Sequence, residues 1–315
     1  MTEHEPCLTV VMYHYVRPIA GSAHPGIKGL ELERFRGQLA WLGAHHTFVT
    51  VNAIIDAARG GAPLPDRSVL LTFDDGYADH VTHVFPLLRE ASIQGAFYPP
   101  SEAVLERKAL DVNKVHFVLA SGVDPAALVR HVDEVVLAHQ DRDDVRPLET
   151  YRDAHLTANR FDPAEVIYVK RMLQHALPPD LRHSVVEELF AAHVSGDERG
   201  FADELYVSVD DLVRMVDGGM HVGTHGHAHH WLDQLSPAEQ AVDIDRSLDL
   251  LDAMGLPRRE FTFCYPYGGY DATTVALLEE RGCDAAFTTI VGVAPLPLGN
   301  LLEVPRIDTN DLPTE

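Results

Sequence analysis

Positive charge is scarce in this chain. Its 25 Lys and Arg face 48 Asp and Glu, for a net charge of −23. Such a surface repels nucleic acid and anionic membrane, so neither is expected as a partner. Cysteine is scarcer still. Cys7, Cys264 and Cys283 are few and odd in number, which excludes a disulfide framework and fits free thiols in a reducing compartment. Apolar runs long enough to span a bilayer are absent. The opening stretch MTEHEPCLTVVMYHYV starts acidic, has a short apolar run and lacks a small-residue cleavage site. It does not read as a signal peptide, and the expected location is the cytoplasm. Internal repeats and low-complexity segments do not stand out. What is present is a 46% hydrophobic chain of 315 residues, enough for one large domain or a domain with a big insertion.

Strand and helix signals alternate along most of it. CLTVVMYHY, SVLLTFDDG, IQGAFYPP, MHVGTH, EFTFCYPYGG and CDAAFTTI read as buried strands. Between them lie helical patterns, such as Leu32, Phe35, Leu39 and Leu42 at helical spacing. Ser208, Ser236 and Asp271 are expected N-caps, the second followed by Pro237 and Glu239. From about Ser101 to about Leu205 the strand signal stops, and helices alone are predicted. Residues 101–205 thus read as a helical insertion subdomain within a single 1–315 domain. The alternation predicts an α/β fold with a mostly parallel sheet wrapped by helices, open or barrel-like. Ligands in such folds sit at the carboxyl ends of strands.

Four polar motifs are expected at that edge: MYHY, TFDDG, GTHGHAHH and CYPYG. In TFDDG, Gly76 lets the chain turn, so Asp74 and Asp75 can both lie at a strand end. A metal on one carboxylate would relieve their repulsion and leave the other as a base; a plain capped turn is the simpler alternative. GTHGHAHHWL holds four histidines in ten residues. His225 and His229 would project to one side of a helical turn, as a two-His metal site requires. His227 and His230 form the competing register. Two His and one carboxylate leave open coordination positions, the composition of a catalytic site, and neutral imidazoles suit zinc, cobalt or nickel. The CYPYGG turn can aim a backbone N–H at an oxyanion, or simply join a strand to a helix.

Together these pieces resemble the polysaccharide deacetylases, the NodB-homology carbohydrate esterases of family four. TFDDG looks like the family's first motif, and His225 to His229 its second, with Gly226 where Ser or Thr is usual. CYPYG stands where the third motif belongs. The resemblance implies a distorted (β/α) barrel and one divalent ion, zinc first, on Asp75, His225 and His229. It implies Asp74 as general base and the Tyr267 backbone N–H as oxyanion donor. The chemistry implied is metal-assisted hydrolysis of an N-acyl amide. The ion polarises the acyl oxygen and acidifies its water, which attacks as Asp74 takes the proton.

Two positions depart from the family pattern. The third motif's arginine is Cys264 here, and the usual C-terminal Leu-x-x-His is absent. MYHY, YPYG and VPRID are similar to the poly-N-acetylglucosamine deacetylase subgroup. That similarity makes His14 the candidate general acid and Arg306 the arginine that steadies Asp74, with Asp308 a further candidate partner. Tyr77 and Trp231 are candidate sugar-stacking aromatics, and Pro266 a candidate substrate contact. The expected activity is removal of an N-acyl group, N-acetyl first in the family's manner, from a small-molecule or carrier-linked amino sugar. The alternatives are hydrolysis of a non-sugar linear amide or cyclic imide, and an inactive carbohydrate-binding homologue. The insertion is expected to wall the substrate cleft or to serve as a homo-oligomer contact, with Lys170 and Arg171 as a candidate phosphate site.

Overall fold

The computed structural model describes residues 5–159 and 162–314. Seven strands carry the argument: β1 (Cys7–Tyr13), β2 (Arg67–Asp74), β3 (Gly95–Tyr98), β4 (His221–Val222), β5 (Phe261–Cys264), β6 (Cys283–Val291) and β7 (Val304–Asp308). They lie in the order β4-β3-β2-β1-β7-β6-β5, every pair parallel. A bridge between Thr224 and Phe263 joins the end of β4 to β5, so the sheet nearly closes into a barrel. The chain therefore has the expected (β/α) barrel architecture.

Burial on both faces explains the apolar runs read from the sequence. Along β2, Val69, Leu71 and Phe73 pack outward with Val11, Tyr13 and Phe97 against the surrounding helices. Leu70 faces the other way, into the barrel, with Leu8, Val10, Tyr98, Cys264 and Phe287. Side chains alternate along a strand, so Thr72 and Asp74 share the inward face with Leu70. That parity sets where the chemistry can sit. The expected caps are present: Ser208 with Asp211, Ser236 with Glu239, and Asp271 with Thr274 each form a reciprocal capping box.

The chain divides into two compact units. The first holds the barrel, in residues Met1–Pro18, Gly29–Lys108 and Ala202–Glu315. The second joins Ala109–Phe201 to a short stretch from much earlier in the chain, Ile19–Lys28. It is helical, with a core of Val132, Tyr168, Val169, Met172 and Phe190 among others. Lys28 and Lys170 both pair with Asp162, and the His24 ring meets Phe117 edge-on at 4.8 Å. Lys170 and Lys28 thus share the one Asp162 carboxylate. Among the described residues, no helix is long and apolar enough to cross a membrane.

Candidate active site

Asp74 is the last residue of β2, and it is buried inside the barrel mouth. Arg306 reaches it from β7. Its Nη1 donates to Asp74 Oδ1 at 2.9 Å, and Nη2 stands 2.9 Å from Oδ2. The same guanidinium donates from Nη1 to Thr72 Oγ1 and from Nε to the Thr288 carbonyl. Burial by itself would raise the Asp74 pKa. Arg306, helped by His225 and His14, overrides it and holds the carboxyl at about 2. On the open side, His14 Nε2 lies 3.9 Å from Asp74 Oδ2, with its side chain 41% exposed. Cys264, where the third motif's arginine belongs, is a buried thiol whose pKa burial pushes well above its ordinary value. The guanidinium comes from a different strand instead.

Asp75 leaves the strand in a left-handed conformation, φ 70°, followed by Gly76 at φ 66°. This turn separates the two neighbouring carboxylates: Asp74 meets the arginine, while Asp75 swings to the histidines. Asp75 Oδ2 accepts from the Tyr77 hydroxyl at 2.5 Å. Oδ1 is buried and takes no hydrogen bond of good geometry from the described residues, yet it lies 3.6 Å from His225 Nε2 and 3.3 Å from His229 Nε2.

His225 Nδ1 lies 2.6 Å from the Cys264 carbonyl. A carbonyl only accepts, so Nδ1 carries the proton and Nε2 presents a lone pair. Burial drives the His225 pKa down to about 4, so the ring is neutral. A buried imidazole lone pair facing a buried carboxylate oxygen is repulsive unless a cation stands between them. Ligands at ~2.0–2.2 Å from a tetrahedral zinc are roughly 3.3–3.6 Å apart, which matches the two spacings. Asp75, His225 and His229 therefore fit a divalent ion.

The helical turn expected for the histidine stretch does not form. Gly226 at φ 69° and His229 at φ 56° are both left-handed, and an irregular loop turns the two rings to one side. A Cβ at Gly226 would sit 2.8 Å from Asp243 Oδ1 and 3.3 Å from Pro266. That crowding explains the glycine where the family has Ser or Thr. The competing register is turned away: His227 Nδ1 bonds Ser101 Oγ at 2.7 Å, and His230 lies 3.4 Å from Asp243.

Tyr267, the third non-glycine site residue with positive φ (56°), forms the CYPYG turn with the buried Pro266. Non-glycine residues in this region cost energy and tend to gather at functional sites. The Tyr267 ring meets His229 edge-on at 4.4 Å and stacks on Trp231 at 4.7 Å. Trp231 is half-buried, with one face given to Tyr267.

Two candidates land elsewhere. Tyr77 is fully buried, stacked on Tyr15 at 3.9 Å, so no sugar can reach its face. Its hydroxyl orients Asp75 instead. Asp308 caps the turn after β7 through Asn310 and serves neither His14 nor Arg306. Thr72 and Thr288, which steady Arg306, carried no signal in the sequence.

Arg306→Met leaves the Asp74 charge buried and unpaired. It is expected to cost ~3–5 kcal/mol of stability, read as a large drop in Tm, because one half of a buried pair is removed. Turnover is expected to fall ~10²-fold as Asp74 loses its geometry. An unchanged Tm would contradict the pairing.

A family profile described as polysaccharide deacetylase matches residues 61–125 and 190–286, just over half of the chain. The poly-β-1,6-N-acetyl-D-glucosamine N-deacetylase of Escherichia coli K12 is 49% identical over 55 residues. That match spans 17% of this chain and only 8% of that protein. Among solved structures, the deacetylase PplD of Streptococcus pyogenes aligns with TM-score 0.57 at 15% identity, over 97% of this chain and 93% of its own. IcaB from Ammonifex degensii aligns with TM-score 0.56 at 20% identity, over 96% and 91%. The BpsB deacetylase domain from Bordetella bronchiseptica aligns with TM-score 0.56 at 16% identity, over 97% of both chains. At these identities the structural likeness speaks for the fold.

Proposed function

We propose that this chain, which belongs to the polysaccharide deacetylase family, removes an N-acetyl group from an amino sugar by metal-dependent hydrolysis. The observation that carries the proposal is the meeting of Asp75, His225 and His229 beside an arginine-held Asp74. A polymer or oligomer of N-acetylglucosamine is the first substrate to test, since that is what the named E. coli relative acts on.

Asp75 Oδ1, His225 Nε2 and His229 Nε2 would hold the ion. A bound divalent ion supplies polarisation of the acyl oxygen and an acidified water. Asp74, ionised at any working pH, accepts the proton as the water oxygen bonds to the acyl carbon. Arg306 keeps both carboxylate oxygens in place through that transfer. The backbone N–H of Tyr267 would be the oxyanion donor, a role worth ~10²–10³ in rate for such donors. His14, partly exposed at the mouth, delivers a proton to the nitrogen as the C–N bond breaks, releasing acetate and a free amine. The contacts of both Arg306 and His14 with Asp74 favour a working enzyme over an inactive binding module.

The test is acetate release from N-acetylated amino sugars, as monomers, nucleotide-linked sugars and β-1,6-linked oligomers, with non-sugar amides and cyclic imides alongside. Activity should vanish on chelation and return with zinc, cobalt or nickel. Release from the non-sugar amides alone would refute the sugar assignment. Undiminished activity after complete metal removal would refute metal dependence.

A further inference from the structure

His80 is fully buried, five residues beyond Asp75, and has no part in the steps above. Its Nε2 lies 2.9 Å from the backbone carbonyl of His14. The carbonyl accepts, so Nε2 carries the proton and donates. Nδ1 is then the acceptor nitrogen, and no protein group among the described residues bonds it. The ring is wedged among Phe73, Tyr77 and Phe97, each with its centroid 5.6 Å away. Burial keeps it neutral, lowering its pKa to about 4. A neutral ring is what a single fixed donor requires.

Its place in the backbone is unusual too. His80 opens a wide helical turn in which the Phe85 N–H bonds the His80 carbonyl, five residues back. Such turns insert one extra residue and re-aim side chains, often at functional sites. Here the turn aims the imidazole at the end of β1, just where the chain leaves the barrel. His14 follows β1 directly and lies outside the strand ladder. Its neighbour Tyr15 is stacked on Tyr77. Two residues of the segment after TFDDG thus grip the two residues after β1.

We infer that His80 is a positioning residue for His14: its Nε2–H pins the His14 carbonyl, so the His14 ring is held at the mouth opposite Asp74. The inference rests on the reading of His14 as the acid. Without the donor, the His14 backbone can rotate, and a shift of about 1 Å in a catalytic group is enough to cost ~10²-fold.

The test compares His80→Phe, which fills the space without donating, with His80→Gln, whose side-chain amide can donate to the same carbonyl. Each is assayed on an N-acetyl amino sugar and on p-nitrophenyl acetate, whose phenolate leaves without a proton. His80→Phe should lose ~10²-fold in kcat on the amide and under ~3-fold on the ester, with metal content and KM nearly unchanged. His80→Gln should recover most of the loss. Equal losses on both substrates, full activity, or no difference between the two variants would overturn the inference. A crystal structure of His80→Phe decides the point without turnover: His14 displaced supports it, and His14 unmoved overturns it. If the unmodified protein releases no acetate from any amino sugar, the deacetylase reading fails, and the crystal structure still judges His80.

Discussion

Asp74→Asn should keep its metal and lose ~10²–10⁴ of its turnover, the usual contribution of a general base. The substitution preserves shape and removes charge. Asp74 could also group with His225 and Cys264 around an ion, but its two oxygens are taken by Arg306 and burial keeps the Cys264 thiol protonated, so metal stoichiometry should not change. It is, however, the sole acid within reach of the buried Arg306 guanidinium among the ion pairs of the described residues. The variant therefore leaves a buried charge uncompensated, and Tm should fall as well. That confounds stability with catalysis unless the two are separated. The double variant Asp74→Asn with Arg306→Met removes both charges together. It should recover much of the lost stability and none of the lost activity. Activity within about tenfold of the original in Asp74→Asn would contradict the base role. Recovery of activity in the double variant would show that the single change acted through folding alone.

His225→Ala should abolish both metal and turnover. It deletes a ring whose tautomer the Cys264 carbonyl fixes, with a lone pair aimed at Asp75. With two protein ligands left of three, metal measured after dialysis should fall from about one equivalent to near zero. The control is His227→Ala, two residues away in the same loop. His227 faces Ser101 and Glu106 and should be dispensable for the metal. Equal metal loss in both variants would mean that the loop, not the ligand, matters. Full metal retention in His225→Ala would rule out the proposed site.

Much of the architecture was readable before any coordinates. Strands buried on both faces leave long β-branched runs, and SVLLTF and CLTVVMY show them plainly. Capping boxes are local, so Ser236 with Glu239 could be read within four residues of chain. The carboxyl-end rule then gathered MYHY, TFDDG, GTHGHAHH and CYPYG at one rim, and the resemblance supplied candidate roles for their residues. The ten residues from Ile19 to Lys28 left no such trace. They have neither period, so nothing local assigns them to a helical unit that begins some eighty residues later.

The sequence by itself determined the alternating elements, the strand-end position of the polar motifs and the acidic, metal-ready choice of side chains. Each depends on neighbours a few residues apart, and such couplings are visible in one dimension. Only the tertiary structure decided which groups meet. Arg306 reaches Asp74 across 232 positions because β2 and β7 turn their inward faces to the same barrel interior. Tyr77, a candidate sugar-stacking aromatic by sequence, is buried against Tyr15 and steers Asp75. The histidine pair converges through left-handed Gly226 and His229 rather than through a helix. Strand pairing and backbone handedness are set by the packing of the whole barrel, and no short window of sequence contains them.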